Sequence, residues 1–172
     1  MQQKKPISPD AARLRMADLC ARSEQCELDI RKKLQRLGQS ADTTDSIISF
    51  LIENRFLDSR RFAVSFARDK CRFSSWGNNK IRLGLMMKRI PKADIEAALQ
   101  EIDRADYLDA LKRVTLAKAR NLDLTGSDAR EARLKLYRHI LSRGFESSLA
   151  SKAVESIIRR SRREQERKNS EE

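Results

Sequence analysis

One order of residues returns about every fifty positions along this chain, and that recurrence limits what the chain can fold into. At an offset of 51, Cys20 matches Cys71, Ile30 matches Ile81, Arg31 matches Arg82, Leu34 matches Leu85 and Leu51 matches Ile102. At 50, Ala63-Val64-Ser65-Phe66-Ala67-Arg68 aligns with Arg113-Val114-Thr115-Leu116-Ala117-Lys118. At 55, Lys88 matches Arg143, Ile90 matches Phe145 and Ile102 matches Ile157, the extra residues fitting a longer loop through Asp123, Thr125 and Gly126. Any one offset is weak, because apolar residues match easily between helices. The shared order of all of them argues for three tandem units.

Each unit reads as three helices. Ser8-Pro9 supplies an N-cap and a first-turn proline for a helix to about Arg22. A second runs from about Glu24 to Leu37 and stops at Gly38. Thr43, Thr44 and Asp45 are cap candidates for a third, whose apolar face is Ile47, Ile48, Leu51 and Ile52. The plan recurs from about Ser59 to Arg72, Asn79 to Lys88 and Pro91 to Ile102. It recurs again from about Tyr107 to Arg120, Asp128 to Arg143 and Ser147 to Arg160. Nineteen Leu against three Val, with only five Gly and three Pro, exclude a sheet protein with its many turns.

The expected fold is therefore all-α: three tandem three-helix repeats in an elongated, curved, right-handed-type helical array. Repeats are placed at 9–56, 57–104 and 105–160, after a disordered N-terminus at 1–8 and before a charged tail at 161–172 that frays into disorder. No repeat is large enough to bury its apolar face alone, so neighbours share contacts and no independent domains are expected.

Lys and Arg number 37 against 25 Asp and Glu, a formal charge of +12, which favours a polyanionic partner. No run approaches the roughly 20 apolar residues of a spanning helix, and the first residues lack the apolar stretch of a signal peptide. The chain is expected to be cytoplasmic and not bound to membrane. Cys20, Cys26 and Cys71 follow no zinc spacing and read as reduced core residues. With a single histidine, His139, a metal site or catalytic triad lacks partners. No catalytic site and no cofactor are expected.

The basic residues fall on equivalent helices. Arg31, Lys32, Lys33 and Arg36 lie on the second helix of unit one, Lys80, Arg82, Lys88 and Arg89 on its counterpart in unit two, and Arg133, Lys135, Arg138 and Arg143 on that of unit three. They either merge into a stripe for a helical polyanion or form ordinary solvated faces. Arg60, Arg61 and Arg68 add exposed candidates beside Phe62 and Phe66, which read as core. Trp76, in a polar loop before Lys80, either stacks on a base or partner or folds back over its own unit.

Four segments carry a family resemblance. Cys20-Ala21-Arg22-Ser23-Glu24-Gln25-Cys26-Glu27-Leu28-Asp29-Ile30-Arg31-Lys32-Lys33-Leu34 resembles the opening of RecX family regulatory proteins. Leu51-Ile52-Glu53-Asn54-Arg55-Phe56-Leu57-Asp58-Ser59-Arg60-Arg61-Phe62-Ala63 is similar to that family's most recognisable stretch. Trp76-Gly77-Asn78-Asn79-Lys80-Ile81-Arg82 and Leu141-Ser142-Arg143-Gly144-Phe145 resemble its Gly-Lys-Ile-Arg helix and its Arg-Gly-Phe turn. The likeness covers about residues 10–160; Arg89 departs from it, standing where the family often has Gly.

The resemblance implies a protein that is not an enzyme. Such a protein binds a RecA-type recombinase filament on single-stranded DNA, along the filament groove. It alters filament extension, ATP hydrolysis and strand exchange, usually downward, in DNA repair and the SOS response. Its implied partners are that recombinase and single-stranded DNA, with double-stranded DNA as a further candidate, and it is expected to act as a monomer. Two other readings stay open: a basic helical DNA-binding protein acting without the recombinase, and a protein-only helical scaffold.

Overall fold

A computed structural model describes residues 7–126 and 128–170. Among them run α1 (Pro9–Arg22), α2 (Glu27–Arg36), α3 (Ala41–Glu53), α4 (Ser59–Ser74), α5 (Asn78–Met87), α6 (Lys92–Gln100), α7 (Arg104–Ala119), α8 (Ala129–Ser142) and α9 (Ser147–Asn169). No strand occurs among the described residues. The fold is all-α, with three helices to each of three successive repeats.

Local chemistry sets the boundaries. The Ser8 hydroxyl accepts a hydrogen bond from Ala11 N at 3.3 Å, capping α1 ahead of Pro9. Asp103 caps α7 by accepting from Ala105 N and Asp106 N at 2.8 and 3.0 Å. The cap of α3 differs from expectation. Ser40, not the Thr43–Asp45 group, takes that place, accepting from Thr43 N at 3.2 Å and donating its hydroxyl to Thr43 Oγ1 at 2.9 Å. The α2 helix also starts later, after an extended Cys26, because the preceding Ser23 is extended as the cap that ends α1.

At the N-terminus, residues 1–6 of the segment expected to be disordered lie outside the described residues, as do 171–172 at the other end. The charged stretch after Arg160 differs from its expectation of fraying. It continues α9 to Asn169, helped by an i,i+4 pair between Arg160 and Glu164 at 2.8 Å.

The chain divides into two compact units. One takes the chain up to Phe66 with Gly84–Ala98, the other Ala67–Leu83 with the chain from Leu99 onward. The divisions fall inside α4, α5 and α6, so contact units do not follow sequence repeats. In the first unit, Ala12 and Met16 of α1, Ile30 and Leu34 of α2, and Ile47, Ile48 and Leu51 of α3 form the core with Leu57. Phe62 is buried and Phe66 half-buried, their rings 5.9 Å apart. In the second, α7, α8 and α9 pack on one another. They bury Ala110, Leu111, Val114, Leu136, Ile140, Ala150 and Val154, with Phe145 in the turn between α8 and α9. Residues three and four apart on each helix supply these faces, as an apolar stripe requires.

The middle helix of every repeat ends in a left-handed residue: Gly38 at φ 77°, Arg89 at 59° and Gly144 at 92°. Glycine takes this conformation freely, whereas an L side chain costs about 1–2 kcal/mol there. Arg55, just past α3, is held at φ 59° as well.

The second unit is tied by a polar junction. The loop Ser75–Gly77 meets the turn Arg143–Phe145 through Gly77 N donating to Arg143 O at 2.8 Å and Asn79 N donating to Gly144 O at 3.0 Å. The Arg143 guanidinium donates to Ser74 O. Beside them the Asn78 N–H donates to the Tyr107 hydroxyl at 3.0 Å, and that hydroxyl donates to Glu146 Oε2 at 2.7 Å. Asn78 Nδ2 donates to the other carboxylate oxygen at 2.9 Å. Burial, then the neighbouring carboxylate, pushes the Tyr107 phenol above its ordinary range. Replacing Tyr107 with Phe strands one backbone N–H and one carboxylate oxygen. The variant is expected to lose about 2 kcal/mol, a fall of roughly 4–8 °C in Tm on a calorimetric scan.

Candidate functional site

Ion pairing divides the basic residues into those that hold the fold and those that make no ion pair among the described residues. On α2, Arg31 bridges Glu27 at 2.6 Å and Asp45 of α3 at 2.5 Å, so it ties two helices together. Arg61 is bonded to Glu24 at 2.9 Å and donates to Arg55 O at 2.9 Å. Lys88 reaches Asp29 at 2.6 Å and lies 5.7 Å from the centre of the Phe62 ring. Burial works against the ionised Asp29, yet the Lys88 ammonium and the Cys26 thiol hold its carboxyl below the usual range. In the second unit, Arg68 pairs with Glu101 at 3.1 Å and Lys135 with Glu131 at 2.7 Å. Arg82 donates to Asn79 Oδ1 at 3.2 Å, Arg133 to Leu124 O at 3.3 Å, and Arg143 belongs to the junction already described.

Lys32, Lys33, Arg36, Arg60, Arg89 and Arg138 make no ion pair among the described residues. Of these, Lys33 and Arg36 face a cleft of about 460 Å³ that they share with Arg15 and Arg22 of α1. Met16, Leu19 and Leu37 complete its walls, and Asp18 is the one carboxylate among its lining residues. Four cations against one carboxylate make this cleft strongly basic, and none of the four makes an ion pair among the described residues.

The contribution of α1 went unread in the sequence. Arg15 and Arg22 stand seven residues apart, two turns on one face, beside the buried Met16. That spacing was the available signal.

Trp76 folds onto its own unit. The Lys70 and Lys80 ammonium groups lie 5.1 and 5.0 Å from its ring centre, within cation–π range. The Trp76 backbone N–H donates to Lys70 O at 3.0 Å.

No group of three or more His, Cys, Asp or Glu among the described residues is placed to hold a metal ion. Burial pushes the thiols upward, Cys20 to about 11, which keeps them in the unreactive protonated form. His139 is half-buried, and burial together with the charges of Lys118 and Arg143 lowers its pKa. No helix among the described residues is long and apolar enough to cross a membrane.

Residues 58–99, the span of α4 to α6, match the family model for "RecX, second three-helix domain". The regulatory protein RecX of Prosthecochloris aestuarii is 31% identical over 137 residues, covering 78% of this chain and 85% of that one. Its counterpart from Pseudomonas savastanoi pv. phaseolicola is 32% identical over 133 residues, covering 76% and 84%. The chain belongs to the RecX family. A longer RecX, from Clostridium botulinum strain Eklund 17B, is 33% identical over 137 residues. There the match covers 80% of this chain but only 64% of the relative. The RecX fold is equally clear in three dimensions. A crystal structure of RecX from Lactobacillus salivarius superposes with a TM-score of 0.71 at 18% identity, covering 86% of this chain and 95% of that one. Another crystal structure, of regulatory protein RecX, gives 0.73 at 24% identity, covering 83% and 70%.

Proposed function

We propose that this RecX family chain binds a RecA-type recombinase filament on single-stranded DNA and restrains it, lowering ATP hydrolysis, filament extension and strand exchange. It acts in the cytoplasm as a monomer, in DNA repair and the SOS response, and it is a regulator without a catalytic site. The observation that carries the reading is the cleft where Arg15, Arg22, Lys33 and Arg36 converge, with Lys32 exposed on the same α2 helix. These cations are free to replace the counterions of a nucleic-acid backbone, the usual source of affinity for such a polymer. Binding spread over several recombinase subunits accumulates area without a deep pocket.

Titrating the single-stranded-DNA-dependent ATPase of the recombinase from the same organism, at near-physiological salt, tests the reading. Inhibition at a small fraction of the recombinase concentration is expected, because one blocked filament end or groove affects many subunits. Inhibition that begins only when the protein is abundant enough to coat the DNA supports a plain DNA-binding protein instead. An unchanged rate at every ratio refutes filament regulation.

A further inference from the structure

A second cleft, of about 780 Å³, lies wholly within the first unit and is not the cleft of α1 and α2. Arg55 and Arg89 are among its lining residues. Both are exposed, both make no ion pair among the described residues, and both are held at φ 59°. Arg89 follows α5, and at the equivalent ends of α2 and α8 this same chain uses Gly38 and Gly144; Arg55 stands past α3. An arginine kept where glycine is easier is a backbone outlier of the kind that gathers at binding sites. Here two such outliers border one cavity.

The other cations and acids of the cleft are occupied. Arg31, Arg61 and Lys88 are paired with carboxylates, and the Asp58 carboxylate accepts from Arg61 N at 2.9 Å. What remains is two unpaired guanidinium groups above an apolar floor that includes Leu28, Leu57 and Ile90. No aromatic ring lines it, so it offers no platform for stacking a base. A phosphate backbone leaves an apolar floor uncovered, whereas a peptide fills it.

From this geometry we infer that the cleft bordered by Arg55 and Arg89 docks a peptide segment of a protein partner, one carrying two carboxylates beside an apolar side chain. Each guanidinium takes one carboxylate and the apolar side chain seats on Leu57 and Ile90. The inference rests on the preceding reading only in naming the recombinase as the protein that carries the segment.

The test is the double variant Arg55→Gly/Arg89→Gly. Glycine suits both backbone positions, so the Tm is expected to hold or rise and loss of folding does not confuse the result. Fluorescence-anisotropy titrations measure wild type and variant against labelled recombinase without DNA, and against a labelled single-stranded oligonucleotide without recombinase. Recombinase affinity is expected to fall at least about tenfold, as loss of two charge-assisted hydrogen-bonding groups implies, while oligonucleotide affinity falls no more than about twofold. Equal recombinase affinity in variant and wild type overturns the cleft assignment and leaves the filament reading standing. A loss of equal size with the oligonucleotide overturns the peptide occupant in favour of phosphate. Wild type that binds no recombinase overturns the filament reading, and this occupant with it.

Discussion

Replacing Lys32, Lys33 and Arg36 together with Gln is expected to weaken binding to single-stranded DNA on the order of 10- to 100-fold at physiological salt. The slope of log affinity against log salt should become shallower by about 2, since each lost phosphate contact removes roughly 0.7 on a single strand. Gln keeps much of the side-chain length and the helix propensity of α2. All three residues lack an ion pair in the free protein, so stability should change little. A matched change at the committed cations, Arg31, Arg61 and Lys88 to Gln, makes the contrast. It breaks links from α2 to α3, from α4 to Glu24, and from Lys88 to Asp29, and should lower Tm more than the salt slope. Salt-dependent anisotropy titrations of the two triple variants decide the matter. Equal slopes in the first variant and wild type would remove α2 from the DNA-binding surface.

Gly144→Ala is expected to be the most damaging single change to the fold. An added Cβ would lie 2.4 Å from Lys80 Cβ and 2.5 Å from Lys80 N, and the residue sits at φ 92°. The facing Gly77 is equally confined, its Cβ meeting the Gly144 carbonyl and Phe145 N at 2.4 Å. Strain in the left-handed region costs about 1–2 kcal/mol, and displacing a backbone that bonds across the junction adds about 1–3 kcal/mol. A loss of about 3 kcal/mol lowers Tm by roughly 6–12 °C in a chain of this length. Thermal unfolding followed by circular dichroism measures it. A fall of less than a degree or two would mean that the loop and turn separate freely.

The helices were legible because each is marked locally. Ser8-Pro9, Gly38 and Gly144 punctuate the chain at positions where capping and left-handed geometry are cheapest. Local signals also misled: three polar residues at 43–45 outcompeted Ser40 on paper, although the hydroxyl that reaches Thr43 N is the one three positions earlier. The charged end of α9 was read as a helix end fraying into disorder, yet an i,i+4 pair helps keep it helical to Asn169.

Basic charge on α2 and its counterparts was plain in the sequence, but its division into occupied and free cations was not. That division depends on Asp45 meeting Arg31 and on Asp29 meeting Lys88, partners 14 and 59 positions away that no local pattern discloses. Trp76-Gly77 and Arg143-Gly144-Phe145 were each noticed separately as family-like segments. Only the fold brings them together, and confinement by backbone, not chemistry, is what demands glycine there.

The ring of Trp76, the sole tryptophan of the chain, carries its own optical consequence. Two ammonium groups, of Lys70 and Lys80, stand about 5 Å from its centre. Drawing either lysine toward a phosphate changes the electric field across the indole and hence its emission. A polyanion that drew on Lys70 or Lys80 would therefore register in the intrinsic fluorescence, readable in a cuvette before any dye is attached.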